Sequence, residues 1–183
     1  MVVLKTTQRG FTLIELMIVV AIVGILASLA VYMFGGQQKR MTAKSEVTSM
    51  FAEFKLRQEQ YRLENGSYLS SSDTASEADP WPATPGTNGG KNMLSPGRPV
   101  NWGALGLAPD NAAVYCTYVS IVGDGGDGAN IGAKAAADFS FVEPPTDWYY
   151  ILAQCDMDQN AAIDSYYFQH SGDSELYYIN QGK

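Results

Sequence analysis

Hydrophobic positions along this 183-residue chain fall into successive regimes. From Phe11 to Phe34 the run FTLIELMIVVAIVGILASLAVYMF spans 24 residues and carries one charge, Glu15. A helix needs about 20 apolar residues, at about 1.5 Å each, to cross a bilayer, so this run is long enough to span one. Further on, Ala43, Val47, Met50, Phe51, Phe54 and Tyr61 recur at three-, four- and seven-residue steps, with Lys44, Glu46, Glu53, Lys55 and Glu59 between them. That spacing predicts an amphipathic helix with one face under a sheet. Asn65-Gly66 supplies the left-handed residue on which such a helix stops. The expectation is one helix from about Phe11 to Asn65, half membrane-embedded and half soluble.

From Leu69 to Val100 the pattern loses both periods and becomes SSSDTASEADPWPATPGTNGG-like, which predicts a surface loop. Trp81 and Trp102 read either as anchors of that loop or as partner contacts. Strand signals follow at residues 113–122, 148–155, 165–170 and 175–180, rich in β-branched and aromatic residues and bounded by Gly, Asp and Pro. Ser171 to Ser174 reads as a hairpin connection between the last two. The fold class is therefore α+β, a long N-terminal helix packed on a small antiparallel sheet.

Composition narrows the chemistry. A formal charge of −7 leaves no basic surface for phosphate backbones, so no nucleic-acid contact is expected. The single histidine, His170, and two cysteines, Cys116 and Cys155, exclude multi-histidine metal centres and the usual zinc sets. G-x-S-x-G, H-E-x-x-H and P-loop motifs are all missing, and no enzymatic activity is expected. Gly123 to Gly128, GDGGDG, fits the letters of a dinucleotide fingerprint but not its βαβ setting, and reads as a loop between strands. Asp156, Asp158, Asn160 and Asp164 place oxygens at alternating positions like the opening half of a calcium loop. Ala161 stands where that loop needs glycine and Tyr167 where it needs a bidentate acid. No cofactor is expected apart from that incomplete calcium loop, whose other reading is an acidic turn.

Ahead of the apolar run lies MVVLKTTQRG, with Lys5 and Arg9 and no acid, which the positive-inside rule holds in the cytoplasm. Lys39, Arg40 and Lys44 follow the run on its other side and weaken that asymmetry. A secretory signal cut after Ala30 is one reading, and a plain single-pass anchor with Glu15 snorkelling to the headgroups is another. Neither uses the carboxylate, which costs about 2.5 to 3.5 kcal/mol near the centre of a membrane helix. A third reading rests on Gly10, Phe11, Thr12, Leu13, Ile14 and Glu15 in RGFTLIELMIVVAIVGILA, which closely resembles the N-terminus of type IV prepilins and of the pseudopilins of type II secretion. The resemblance covers roughly the first 30 residues.

The resemblance implies cleavage by prepilin peptidase between Gly10 and Phe11, N-methylation of Phe11, and pairing of Glu15 with the terminal amine of a neighbouring subunit. It divides the chain into a leader (1–10), a transmembrane and polymerisation helix (11–34), an amphipathic half-helix (35–66) and a pilin globular domain (67–183). It implies an inner-membrane precursor and then a filament in the periplasm or at the cell surface, a homo- or hetero-polymer with other pilins built by the pilus assembly machinery. Many type IV pilins carry a proline where this chain has Tyr32, and that departure favours a minor pilin or a pseudopilin. The implied periplasm is oxidising, so Cys116 and Cys155 are expected to bridge; two buried thiols are the alternative. The function expected is a structural subunit of a type IV pilus-like filament. The other readings are a pseudopilin of type II secretion and a membrane-anchored calcium-dependent binding protein.

Overall fold

The computed structural model describes residues 11–86, 91–93, 97–108, 113–158 and 164–182, with the backbone alone at 30–37, 39, 40 and 93. The chain divides into two compact units, 1–37 and 38–183. The described residues of the first form one helical stretch. Helix α1, Leu13–Asn65, begins there and is assigned without interruption through Tyr32. Its large apolar side chains from Leu13 to Leu29 are all more than half exposed.

The second unit contains the rest of α1, the short helices α2, Val100–Ala104, and α3, Ala133–Phe139, and six strands. Two of these, β1, Asn92–Met93, and β2, Ala113–Val114, form a small antiparallel ladder. The main sheet is β3, Cys116–Gly123; β4, Trp148–Cys155; β5, Ser165–His170; and β6, Asp173–Ile179. They pair antiparallel in that order.

Alternation along the strands builds two cores from one sheet. Tyr118, Tyr149, Ile151, Ala153 and Tyr167 join Ala43, Val47, Met50, Phe51 and Phe54 of α1 in one buried cluster. Val119, Ile121, Trp148, Tyr150, Leu152 and Phe168 face the other way and pack with Ala135 of α3 and Phe141. The amphipathic face read from the sequence is therefore the buried face of α1, and the helix ends at Asn65, before Gly66 at φ +85°.

Three local expectations are corrected. The 113–122 segment is two strands, because Tyr115 gives its N–H to Glu46 Oε1 at 2.8 Å and so leaves the ladder between β2 and β3. The last hairpin turns on Ser171 and Gly172 alone, since β6 begins at Asp173. The segment from Leu69 is also more than a surface loop, for Ser70, Ser71 and Ser72 are buried. Ser71 exchanges backbone and side-chain bonds with Ser120 at 2.9 and 2.8 Å, and Trp81 and Tyr118 exchange both backbone bonds at 2.9 and 3.0 Å. The outer edge of β3 is thereby sealed. Trp81 packs edge-on against Trp102 at 4.7 Å, and Trp102 against Phe54 at 5.2 Å, so both indoles anchor the connection.

Candidate assembly site

At the start of α1 the local sequence makes its own cap. Thr12 precedes the first helical residue, and its carbonyl accepts the first helical bond, from Leu16 N–H at 3.2 Å. Thr12 Oγ1 accepts from Glu15 N–H at 3.3 Å, while Glu15 Oε2 accepts from both Thr12 N–H and Thr12 Oγ1–H at 2.8 Å. This is a reciprocal capping box, Thr at the cap and Glu three residues on. Its signal, T-x-x-E before an apolar run, is legible in the sequence.

The box uses one carboxylate oxygen. Among the described residues both of Thr12's donors converge on Oε2, so Oε1 keeps its acceptor capacity. Phe11, four residues before Glu15, is 86% exposed. Gly10 lies outside the described residues. Behind Glu15, apolar side chains surround the helix on every side to Leu29, with Ser28 turned back onto Ile25 O at 2.7 Å. A helix apolar all round has no face suited to water and must bury itself in lipid or in other helices.

The 38–183 unit is fastened by polar side chains that α1 sends into the sheet. Glu46 accepts four bonds: two from Tyr115 N–H, at 2.8 and 3.1 Å, one from Cys116 N–H at 3.1 Å and one from Tyr118 Oη–H at 2.9 Å. Burial, reinforced by the Glu46 charge, pushes the Tyr118 hydroxyl well above its ordinary value, so it donates at every physiological pH. Gln58, fully buried, donates to Leu69 O at 2.6 Å and Ser120 Oγ at 3.1 Å and accepts from Leu69 N–H at 3.1 Å. The sequence reading placed Glu46 on the polar face of the helix; a carboxylate that collects backbone donors from a distant strand carries no local signal.

Cys116 and Cys155 are register partners on β3 and β4 and are joined as a disulfide, both fully buried. The carboxylates of the calcium reading fare differently. Asp164 Oδ2 accepts from Gln154 Nε2 at 2.6 Å, and Asn160 lies outside the described residues. Among the described residues no three His, Cys, Asp or Glu side chains gather as metal ligands would. His170 sits against the Phe141 ring at 5.1 Å and accepts from Gly172 N–H through Nδ1 at 3.2 Å, a strand-end role. In GDGGDG, Gly123 is the last residue of β3 and the loop after it leads to α3 and not directly to a strand; Gly126 N–H reaches Pro144 O at 2.8 Å, and a Cβ on Gly125 would stand 2.4 Å from Pro145 O.

A family model for the prokaryotic N-terminal methylation motif matches residues 5–31. Fimbrial protein EcpC of Eikenella corrodens is 32% identical over 164 residues, which cover 87% of this chain and 95% of that one. Type IV major fimbrial protein FimA of Dichelobacter nodosus is 50% identical over 50 residues, 27% of this chain and 30% of that one. Type II secretion system core protein G of Dickeya chrysanthemi is 32% identical over 82 residues, 45% of this chain and 53% of that one. No solved structure matches the chain significantly.

Proposed function

This chain belongs to the type IV pilin family, and we propose that it enters a pilus-like filament as a structural subunit, through the helix that starts at Phe11. The observation that carries this reading is an apolar helical surface whose only charge, Glu15, is held at its very beginning. Prepilin peptidase cuts between Gly10 and Phe11, the new amine on Phe11 is methylated, and Lys5 and Arg9 leave with the leader.

The amine and Glu15 then solve one problem. Either charge alone is strongly unfavourable among apolar helices, while the pair is tolerated. Glu15 Oε2 stays in the capping box and Oε1 receives the amine of a neighbouring subunit, so the helix keeps its cap while the contact fixes axial register. Cys116 and Cys155 close the sheet in the oxidising compartment that the globular unit reaches.

Before assembly the same helix holds the precursor in the inner membrane. Among the described residues no helix is long and apolar enough to cross a membrane. The described side chains from Leu13 to Leu29 make about 25 Å of helix, and the apolar sequence continues to Phe34, which brings it past the roughly 30 Å hydrocarbon core.

A second reading, a pseudopilin of type II secretion, draws on the likeness to the secretion protein and on the assignment of α1 without a break at Tyr32. Deleting the chain separates the two, since one reading loses filaments and the other loses secretion. The direct test of processing is mass spectrometry of the N-terminal peptide from native membranes or sheared filaments. Methylated Phe11 is expected. A chain beginning at Met1 or Val31 overturns the proposal.

A further inference from the structure

The 38–183 unit carries surfaces of opposite charge at two separate places on its sheet. Met41, Lys44 and Thr48 line a shallow recess along α1 that leads into a hollow of about 210 Å³ shared with β6, where Ala52, Lys55 and Leu176 stand. Lys44 Nζ lies 5.8 Å from the centre of the Tyr178 ring, and Lys55 Nζ donates to Ser174 Oγ at 3.0 Å. Among the described residues neither lysine is held in an ion pair. Strand alternation explains this, because Ser174, Leu176 and Tyr178 share the face toward α1 while Asp173 and Glu175 share the other. Asp173 is engaged there by Tyr177 Oη–H at 2.7 Å.

Acids gather where β3 ends and β4 begins. Beyond Gly123, the last residue of β3, and before Trp148, the first of β4, two loops expose Asp124, Asp127, Glu143 and Asp147. They are locked together by the Gly126 bond to Pro144 O and by Gly125 N–H on Asp147 Oδ1 at 3.3 Å. Lys134, the nearest cation in sequence, is committed to Asp138 at 3.0 Å and to the Tyr166 ring. β3 and β6 are the two outer strands, and the acids stand beyond the Gly123 and Trp148 ends of β3 and β4, while the trough lies between α1 and β6.

We propose that the acidic loop pair of one subunit seats on the Lys44–Lys55 trough of a second copy of this chain in the filament. The proposal rests on the filament reading above and names a globular contact additional to the Glu15 register. Two different, complementary patches on one chain make a head-to-tail contact, and such contacts propagate into open helical filaments rather than closing into dimers. The recess also lies on α1 itself, the element through which the subunit enters the filament. A single exposed ion pair contributes little, but a filament repeats it at every subunit and juxtaposed like charges oppose assembly.

The test is charge exchange in the full-length chain, expressed with its assembly machinery in a strain lacking the native copy. K44E/K55E is expected to lower the yield of sheared filaments about tenfold, and D124K/E143K to do the same, while N-terminal methylation in membranes stays at the wild-type level. Asp124 and Glu143 are chosen because their side chains make no bond that fastens the loops. Combining all four substitutions is expected to return most of the yield. Wild-type yield from either double variant, or a combination no better than the worse of them, overturns the contact. A wild-type chain that gives no filaments at all overturns the filament reading itself, and the contact with it.

Discussion

The two halves of α1 obey opposite rules. Up to Leu29 the helix exposes apolar side chains in every direction, and among the described residues nothing buries them. From Ala43 onward the same helix buries one face completely, with Ala43, Val47 and Phe54 at 0% exposure, and turns charges to the other. The second half completes its folding within the chain; the first does not, and on the proposed function its solvent is lipid and then other subunits. Charge follows the same division. Glu46 is satisfied by four donors of its own fold, whereas Glu15 has a full cap and an unused oxygen.

Removing each carboxylate in turn should separate the two halves most sharply. Glu15→Ala is expected to lower sheared filament yield at least about tenfold, since an unpaired amine is then left among apolar helices, while the unfolding midpoint of the globular unit stays put. Thr12→Ala sharpens the result. It removes only the cap, a loss of about 0.5–2 kcal/mol of helix stability. If Thr12→Ala abolished filaments as fully as Glu15→Ala, the carboxylate would be acting as a cap and not as an intersubunit partner. Glu46→Ala should do the reverse. It strands Tyr115 N–H, Cys116 N–H and the Tyr118 hydroxyl, at about 1–3 kcal/mol for each donor, so a loss of at least about 3 kcal/mol is expected in denaturant titrations of the full chain in detergent. A loss below about 1 kcal/mol would remove Glu46 from the account of how α1 is held. C116S/C155S is comparable, about 4 kcal/mol in the chain-entropy treatment of a loop with a sequence separation of 39.

What could be read in advance follows the range of the interaction. The buried face of α1, its end before Gly66 and strands β4 and β5 are local patterns and stand where the sequence put them, while β6 begins at Asp173, two residues before the expected start. Helix α3 is short, begins after glycine and has no side-chain cap of its own, so AKAAADF offered little periodicity. The missed signal was in β4. WYYILAQC is apolar without alternation, the mark of a strand covered on both faces, and a second cover was therefore required. Ser70 to Ser72 failed for another reason. Serine reads as loop in any local pattern, and only its pairing with the edge of β3 makes it core.

The second cover supplies the next prediction. Gly132 precedes α3, and the donors of the first turn are taken by a residue far away in sequence: Glu77 accepts from Lys134 N–H at 2.9 Å and from Ala135 N–H and the Tyr150 hydroxyl, each at 3.0 Å. A Cβ on Gly132 would stand 1.9 Å from Glu77 Cδ, so Gly132→Ala must push the cap away. A cost of about 1–3 kcal/mol is expected, with faster amide exchange confined to 133–139 and the adjoining sheet face. Gly126→Ala is the contrasting control for packing, because nothing lies within 4 Å of that Cβ; its strain comes from φ +76° alone. Because φ −72° at Gly132 suits alanine, a Gly132→Ala cost below about 0.5 kcal/mol would mean that the Glu77 carboxylate swings aside without losing the cap.

The smallest effect expected is a pH dependence at the far end of that cover. Burial against the aromatic cluster holds His170 below its ordinary value near 6.5, with the Asp173 charge opposing the shift. The unfolded chain thus binds the proton more readily than the folded one, so stability from neutral His170 is complete above pH 6.5 and declines as pH falls toward the folded value. Asp173 runs on a separate, lower window: the Glu175 N–H and the Tyr177 hydroxyl hold its carboxyl below 3.8, so its contribution is intact until pH falls through that region. Between pH 7 and 5 the histidine is therefore isolated. His170→Asn keeps an acceptor for Gly172 N–H and cannot titrate, so the wild type should lose stability across this interval relative to the variant. Asp173→Asn, which retains an acceptor but removes the opposing charge, should steepen the wild-type decline. A slope unchanged by His170→Asn would assign it to another group.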